Sequence, residues 1–102
     1  MAQQRHQSDL SAESRSARQG SRILIVEDDL EIARMLGDTL TDNGMTVEIA
    51  ESGVQMNAAL RTQKFDLIVL DVMLPGENGL NICRRLRAAT NIPILMLTAL
   101  VE

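Results

Sequence analysis

The chain has 102 residues, which bounds it at one domain. It is 45% hydrophobic with a single aromatic, Phe65, so any core is aliphatic, with methionine as filler. Its net charge of −4 is uneven, about +2 over residues 1–22 and −6 over the remainder, and an acidic globular part is a poor direct binder of nucleic acid. No apolar run nears the roughly 20 residues of a membrane-spanning helix. The first 22 residues lack the apolar stretch of a secretory signal. A lone cysteine, Cys83, cannot form an internal disulfide, which fits a reducing, cytoplasmic setting.

Residues 1–21 are polar, aperiodic and rich in Gln, Ser and Arg, and read as a disordered leader. The pattern changes at Arg22. Ile23–Val26 is a continuous apolar run, as a strand buried on both faces requires. From Leu30 to Asn43, Ile32, Ala33, Leu36 and Leu40 share a helical face, Asp28 or Asp29 can cap its start, and Gly44 ends it. Met45, Val47 and Ile49 alternate with polar residues, which suits an edge strand. Ser52 caps a weaker helix to about Gln63. Leu67–Leu70 is a second continuous apolar strand, followed by the turn-rich Leu74–Gly79. Leu80, Ile82, Cys83 and Leu86 mark a third helix with Arg84, Arg85 and Arg87 on its wet side. Pro93 then opens a last strand, Ile94–Leu97. This β-α-β-α-β-α-β order predicts a doubly wound parallel sheet with right-handed crossovers.

Such a sheet gathers the residues at its carboxyl-terminal strand ends. These are Glu27, Asp28 and Asp29 after the first strand, Asp71 after the third and Thr98 after the fourth. Taken alone, Asp71 reads as a turn residue and Thr98 as an ordinary strand residue. Together with Glu27 and Asp28 the acids repel one another, and a hard cation with oxygen ligands, Mg2+, relieves that repulsion. Asp29 is read as the helix cap. Amides after Asp71 and Thr98 are placed to donate to developing negative charge.

Three stretches carry a resemblance. They are Ile23–Asp29, Asp66–Gly79 and Ile92–Ala99, in order and at a spacing that together make it specific. The chain resembles the receiver domain of two-component response regulators over residues 22–102, most closely those carrying a winged-helix DNA-binding domain. The resemblance implies a flavodoxin-like (βα)3β sheet in strand order 2-1-3-4, with the family's fifth strand and last two helices missing. It also implies a signalling domain rather than a turnover enzyme, which assists its own phosphorylation and dephosphorylation. Asp71 matches the phosphoacceptor and Asp28 a direct Mg2+ ligand. Glu27 matches a ligand acting through water, and Met73 one acting through its backbone carbonyl. Thr98 matches the phosphate-sensing hydroxyl, and Ala99 an amide that binds the phosphoryl group. The implied donor is a sensor histidine kinase. Met73 and Leu100 fall where the family tunes hydrolysis, and both are apolar, which implies a long-lived phosphoryl state.

The chain ends before the position of the family's fifth-strand lysine, and Lys64 cannot replace it. Two other readings therefore stand beside the first. One is an interaction fragment that binds a kinase or regulator without being phosphorylated. The other is an Mg2+-dependent phosphatase, for which Met73 stands where a general acid is needed. The fourth strand, as an exposed aliphatic edge, is expected to promote self-association.

Overall fold

The computed structural model describes residues 20–97. Four strands and three helices alternate: β1 (Arg22–Val26), α1 (Leu30–Asp42), β2 (Thr46–Ala50), α2 (Gly53–Thr62), β3 (Leu67–Asp71), α3 (Gly79–Ala89) and β4 (Ile94–Leu97). All strand pairs are parallel, in the order β2-β1-β3-β4. This is the flavodoxin-like order expected above, with β1 and β3 at the centre.

The apolar runs of β1 and β3 make sense because each strand serves two cores. Leu24, Val26, Ile68 and Leu70 face one side, where Met56 and Ala59 of α2 and Ile82 and Leu86 of α3 cover them. Ile23, Ile25 and Val69 face the other side, under Ala33 of α1 with Leu36 and Leu40. Period-two alternation thus divides one strand between two helical layers. Phe65 closes the first core.

The helix ends are set by local chemistry. Asp29, not Asp28, caps α1, its carboxylate accepting from the Glu31 and Ile32 amides at 3.0 and 3.3 Å. At the other end Met45 N–H donates to the Leu40 carbonyl at 3.2 Å and Gly44 N–H to that of Thr41 at 2.9 Å. That pair of bonds needs a left-handed residue between helix and strand, and Gly44 has φ +87°. Ser52 caps α2 and Asn78 caps α3.

Three side chains depart from expectation. Leu80, expected on the inner face of α3, is 50% exposed. The seam of α3 runs instead through Gly79, Ile82, Cys83 and Leu86, because Gly79 lies against the backbone of Asp71 and Val72 and sets the helix's rotation. Met35 (62% exposed) and Met73 (73% exposed) are not core filler; among the described methionines only Met56 is fully buried, while Met45 and Met96 sit at the core margins. The α3 arginines are exposed as expected, although Arg85 pairs with Glu77 and Arg87 donates to the Ile92 carbonyl.

Candidate acidic site at the strand ends

The register explains how the acids meet. Val26 pairs with Leu70 across β1 and β3, so Glu27 and Asp71 emerge at the same level of adjacent central strands. The Glu27 amide still bonds the Ala50 carbonyl at 2.9 Å, and the Val72 amide bonds that of Leu97 at 3.0 Å. Backbone pairing therefore continues to the rim and holds both acids in place.

Glu27, Asp28 and Asp71 each offer a carboxylate oxygen, and these oxygens lie within 4.8 Å of one another. Glu27 is 5% exposed and Asp71 8%, whereas Asp28 is open to solvent. One Asp71 oxygen accepts from the Met73 amide at 2.9 Å, which fixes the carboxylate against the loop that follows. Glu27 Oε2 is buried with no hydrogen-bond partner. Burial first, then a hydrogen bond to Asp71, then the charges of Asp71, Asp28 and Asp29 push the Glu27 carboxyl up to about 8. Without a cation the cluster relieves its repulsion by keeping a proton on Glu27.

The donor set suits a hard divalent ion. It is all oxygen, it is pre-assembled, and one of its oxygens is already out of water and unpartnered. The site opens into a cavity of about 410 Å³ lined by the three acids together with Asp29, Ile32, Met35, Leu36, Met73 and Leu97. Its apolar wall explains the exposure of Met35 and Met73.

Of the residues singled out from the sequence, Glu27, Asp28, Asp71 and Met73 come together here. Thr98 and Ala99 lie outside the described residues. Sequence reasoning missed the apolar wall and the role of Gly79. The wall left a trace, since the apolar positions of α1 (Ile32, Ala33, Met35, Leu36 and Leu40) span more than one packing seam. The Gly79 contact left none, because a turn glycine and a close-approach glycine look alike in a sequence.

Fold and site together define a flavodoxin-like receiver module, with an acidic pocket at the carboxyl edge of a parallel sheet. The chain belongs to the response regulator receiver domain family, whose model matches residues 23–102. It is similar to the DNA-binding response regulator MtrA of Mycolicibacterium paratuberculosis, 46% identical over 78 residues, or 76% of this chain and 35% of that protein. The chain thus spans about a third of the length of the curated relatives it matches. Among solved structures it is similar to the BeF3-activated N-terminal receiver domain of Klebsiella pneumoniae RstA, at 35% identity and TM-score 0.74, covering 80% of this chain and 70% of that one. Thermotoga maritima TrrA, solved in complex with Mg2+-BeF, is similar at 31% identity and TM-score 0.73, covering 78% and 70%. No described helix is long and apolar enough to cross a membrane.

Proposed function

We propose that this receiver accepts a phosphoryl group on Asp71 from a phosphohistidine of a sensor histidine kinase. The observation that carries this reading is the convergence of three carboxylates on adjacent central strand ends, one with a buried, unpartnered oxygen. Asp28 and Asp71 would hold Mg2+, with Glu27 acting through water and Met73 through its backbone carbonyl. When bound there, Mg2+ supplies positive charge that offsets the phosphoryl oxygens.

The chain's own residues position the reaction. The Met73 amide, already bonded to Asp71, orients the attacking carboxylate. An Asp71 oxygen forms its bond to phosphorus as the phosphorus–imidazole bond breaks. The imidazole keeps that electron pair and takes up a proton. The cavity's apolar wall limits water around the product acyl phosphate. In this reading Thr98 senses the new group through its hydroxyl and Ala99 through its amide, which biases a two-state surface. The relatives are named as DNA-binding regulators, and transcription regulation is the output we assign to a receiver of this kind when it is joined to a DNA-binding domain, not to this acidic domain by itself.

The test is intact mass after incubation with Mg2+ and acetyl phosphate. Gain of one phosphoryl group, lost in Asp71→Asn, supports the reading; no gain in the folded wild-type chain refutes it. Binding to a kinase without that gain would favour the interaction reading, for which the supporting observation is that no described lysine or arginine lines the cavity.

A further inference from the structure

The described methionines divide by exposure. Met56 is fully buried, and Met45 and Met96 are half-buried at the core margins. Met35 and Met73 stand open to solvent. These two come from distant parts of the chain, α1 and the loop after β3, yet both line the cavity that holds Glu27, Asp28 and Asp71. Single exposed apolar side chains are ordinary on a protein surface. Two thioethers gathered at one carboxylate cluster are not. Leucine, of similar volume, would serve equally well as wall. What methionine adds is a sulfur lone pair. A hard cation prefers the carboxylate oxygens to that sulfur, whereas a peroxide reacts with it.

We propose that Met73 is a modification site for hydrogen peroxide, and that its oxidation retunes the acidic site. The sulfur attacks one peroxide oxygen, the O–O bond breaks, and hydroxide leaves with the bonding pair. The proton on the new S–O group passes to that hydroxide. The products are a sulfoxide and water; sulfur gives up two electrons and the peroxide takes them. Met35 is a second target on the same wall. Met73 is the one that reaches the acceptor, because its own amide bonds an Asp71 oxygen at 2.9 Å and anchors the residue beside it. Its sulfoxide replaces apolar wall with a strong hydrogen-bond acceptor that holds water in the cavity. The consequence for the acyl phosphate, a shorter life, rests on the reading of Asp71 as phosphoryl acceptor; the modification itself does not.

The experiment treats the full chain with hydrogen peroxide, removes the peroxide and maps oxidation by peptide mass. Met35 and Met73 are expected to oxidise about tenfold faster than Met56, in line with their exposure. The oxidised chain, loaded from acetyl phosphate with Mg2+, should then lose its phosphoryl group several-fold faster than the untreated chain. Met73→Leu keeps the backbone and nearly the volume; compared with its own untreated sample, it should show no such response. Met35→Leu should keep the response. Methionine sulfoxide reductase should restore the wild-type lifetime, a reversal that oxidation at Cys83 would not undergo. Oxidation of Met73 no faster than that of Met56 overturns the proposal. So does an unchanged lifetime in chain fully oxidised at Met73, or a response that persists in Met73→Leu or vanishes in Met35→Leu. A chain that takes no phosphoryl group even untreated refutes the acceptor reading alone. Oxidation must still move the Asp71 and Glu27 carboxyl resonances of that chain, and not those of Met73→Leu; unmoved resonances overturn the proposal.

Discussion

Gly79→Ala places a methyl group where the structure has no room. A Cβ built on Gly79 would lie 2.5 Å from Val72 Cα, 2.8 Å from the Asp71 carbonyl oxygen and 2.9 Å from that of Val72. Ordinary carbon contacts are about 3.5–4.0 Å, so α3 and the end of β3 must separate by roughly 1 Å. All three obstacles are backbone atoms, which cannot rotate away. The same movement strains the Gly79 amide bond to the Val72 carbonyl, now 3.0 Å. Overpacking of this kind costs about 1–3 kcal/mol, against the gain of about 0.5–1 kcal/mol that glycine to alanine brings in an ordinary helix. Net destabilisation of about 1 kcal/mol corresponds to a Tm lower by roughly 6 °C in a domain of this size. Gly37 in α1 is the control. A Cβ there would meet Val47, Ile49 and Ile25 side chains at 3.5–4.0 Å, ordinary contact distances, so Gly37→Ala should raise stability. Thermal unfolding followed by circular dichroism measures both. A Gly79→Ala chain that melts at or above wild type refutes the steric reasoning. Under the proposed function, phosphorylation of Asp71 should also slow in Gly79→Ala, since the displaced segment includes the loop whose Met73 amide bonds Asp71.

Four further predictions concern the site and the surfaces around it. The Glu27 carboxyl, raised from 4.5 to about 8, keeps its proton in the folded metal-free chain where the unfolded chain has lost it. Its contribution to stability is therefore complete below pH 4.5 and is lost as pH rises toward 8. Urea titrations across that range should show the decline in wild type and not in Glu27→Gln, and Mg2+ affinity measured calorimetrically should rise through the same window as the ion displaces the proton. Asp29→Ala should lower unfolding free energy by about 1 kcal/mol through loss of the α1 cap, leaving Mg2+ affinity nearly unchanged; a large loss of Mg2+ binding would show Asp29 to be a ligand. Met73→Asn puts an amide on the cavity wall and should shorten the acyl phosphate's lifetime several-fold in a phosphate-release assay. Leu95, 54% exposed on β4, should promote association at high concentration, and Leu95→Lys should shift sedimentation toward the monomer.

What the sequence discloses follows from how local each signal is. The two-sided burial of β1 and β3 is written directly in Ile23–Val26 and Leu67–Leu70, because period-two alternation disappears when both faces are covered. The caps at Asp29 and Ser52 and the stop at Gly44 are equally local. So is the acidic site, since parallel alternation brings strand ends to one edge whatever the detailed packing. The rotation of α3 is not local. It depends on Gly79 meeting the Asp71–Val72 backbone, which moved the seam and left Leu80 outside. Met35 and Met73 were misjudged for a related reason, because an apolar residue lining a cavity and one filling a core share the same composition. Glu48 looked like the polar half of an edge strand, and only its buried, unpartnered Oε2 sets it apart.

The three acids between β1 and α1 have three different duties. Glu27 is the buried member of the cluster, Asp28 the exposed one and Asp29 the helix cap. The connection has no spare residue. Adding or removing one amino acid there would move each acid into its neighbour's post at once, exchanging a buried group for a solvated one and a member of the carboxylate cluster for a cap. A change of length in this segment is therefore expected to disturb the acidic cluster and the α1 cap together. The Pro75–Asn78 turn, which carries none of the clustered carboxylates, is where an insertion could be absorbed at lower cost.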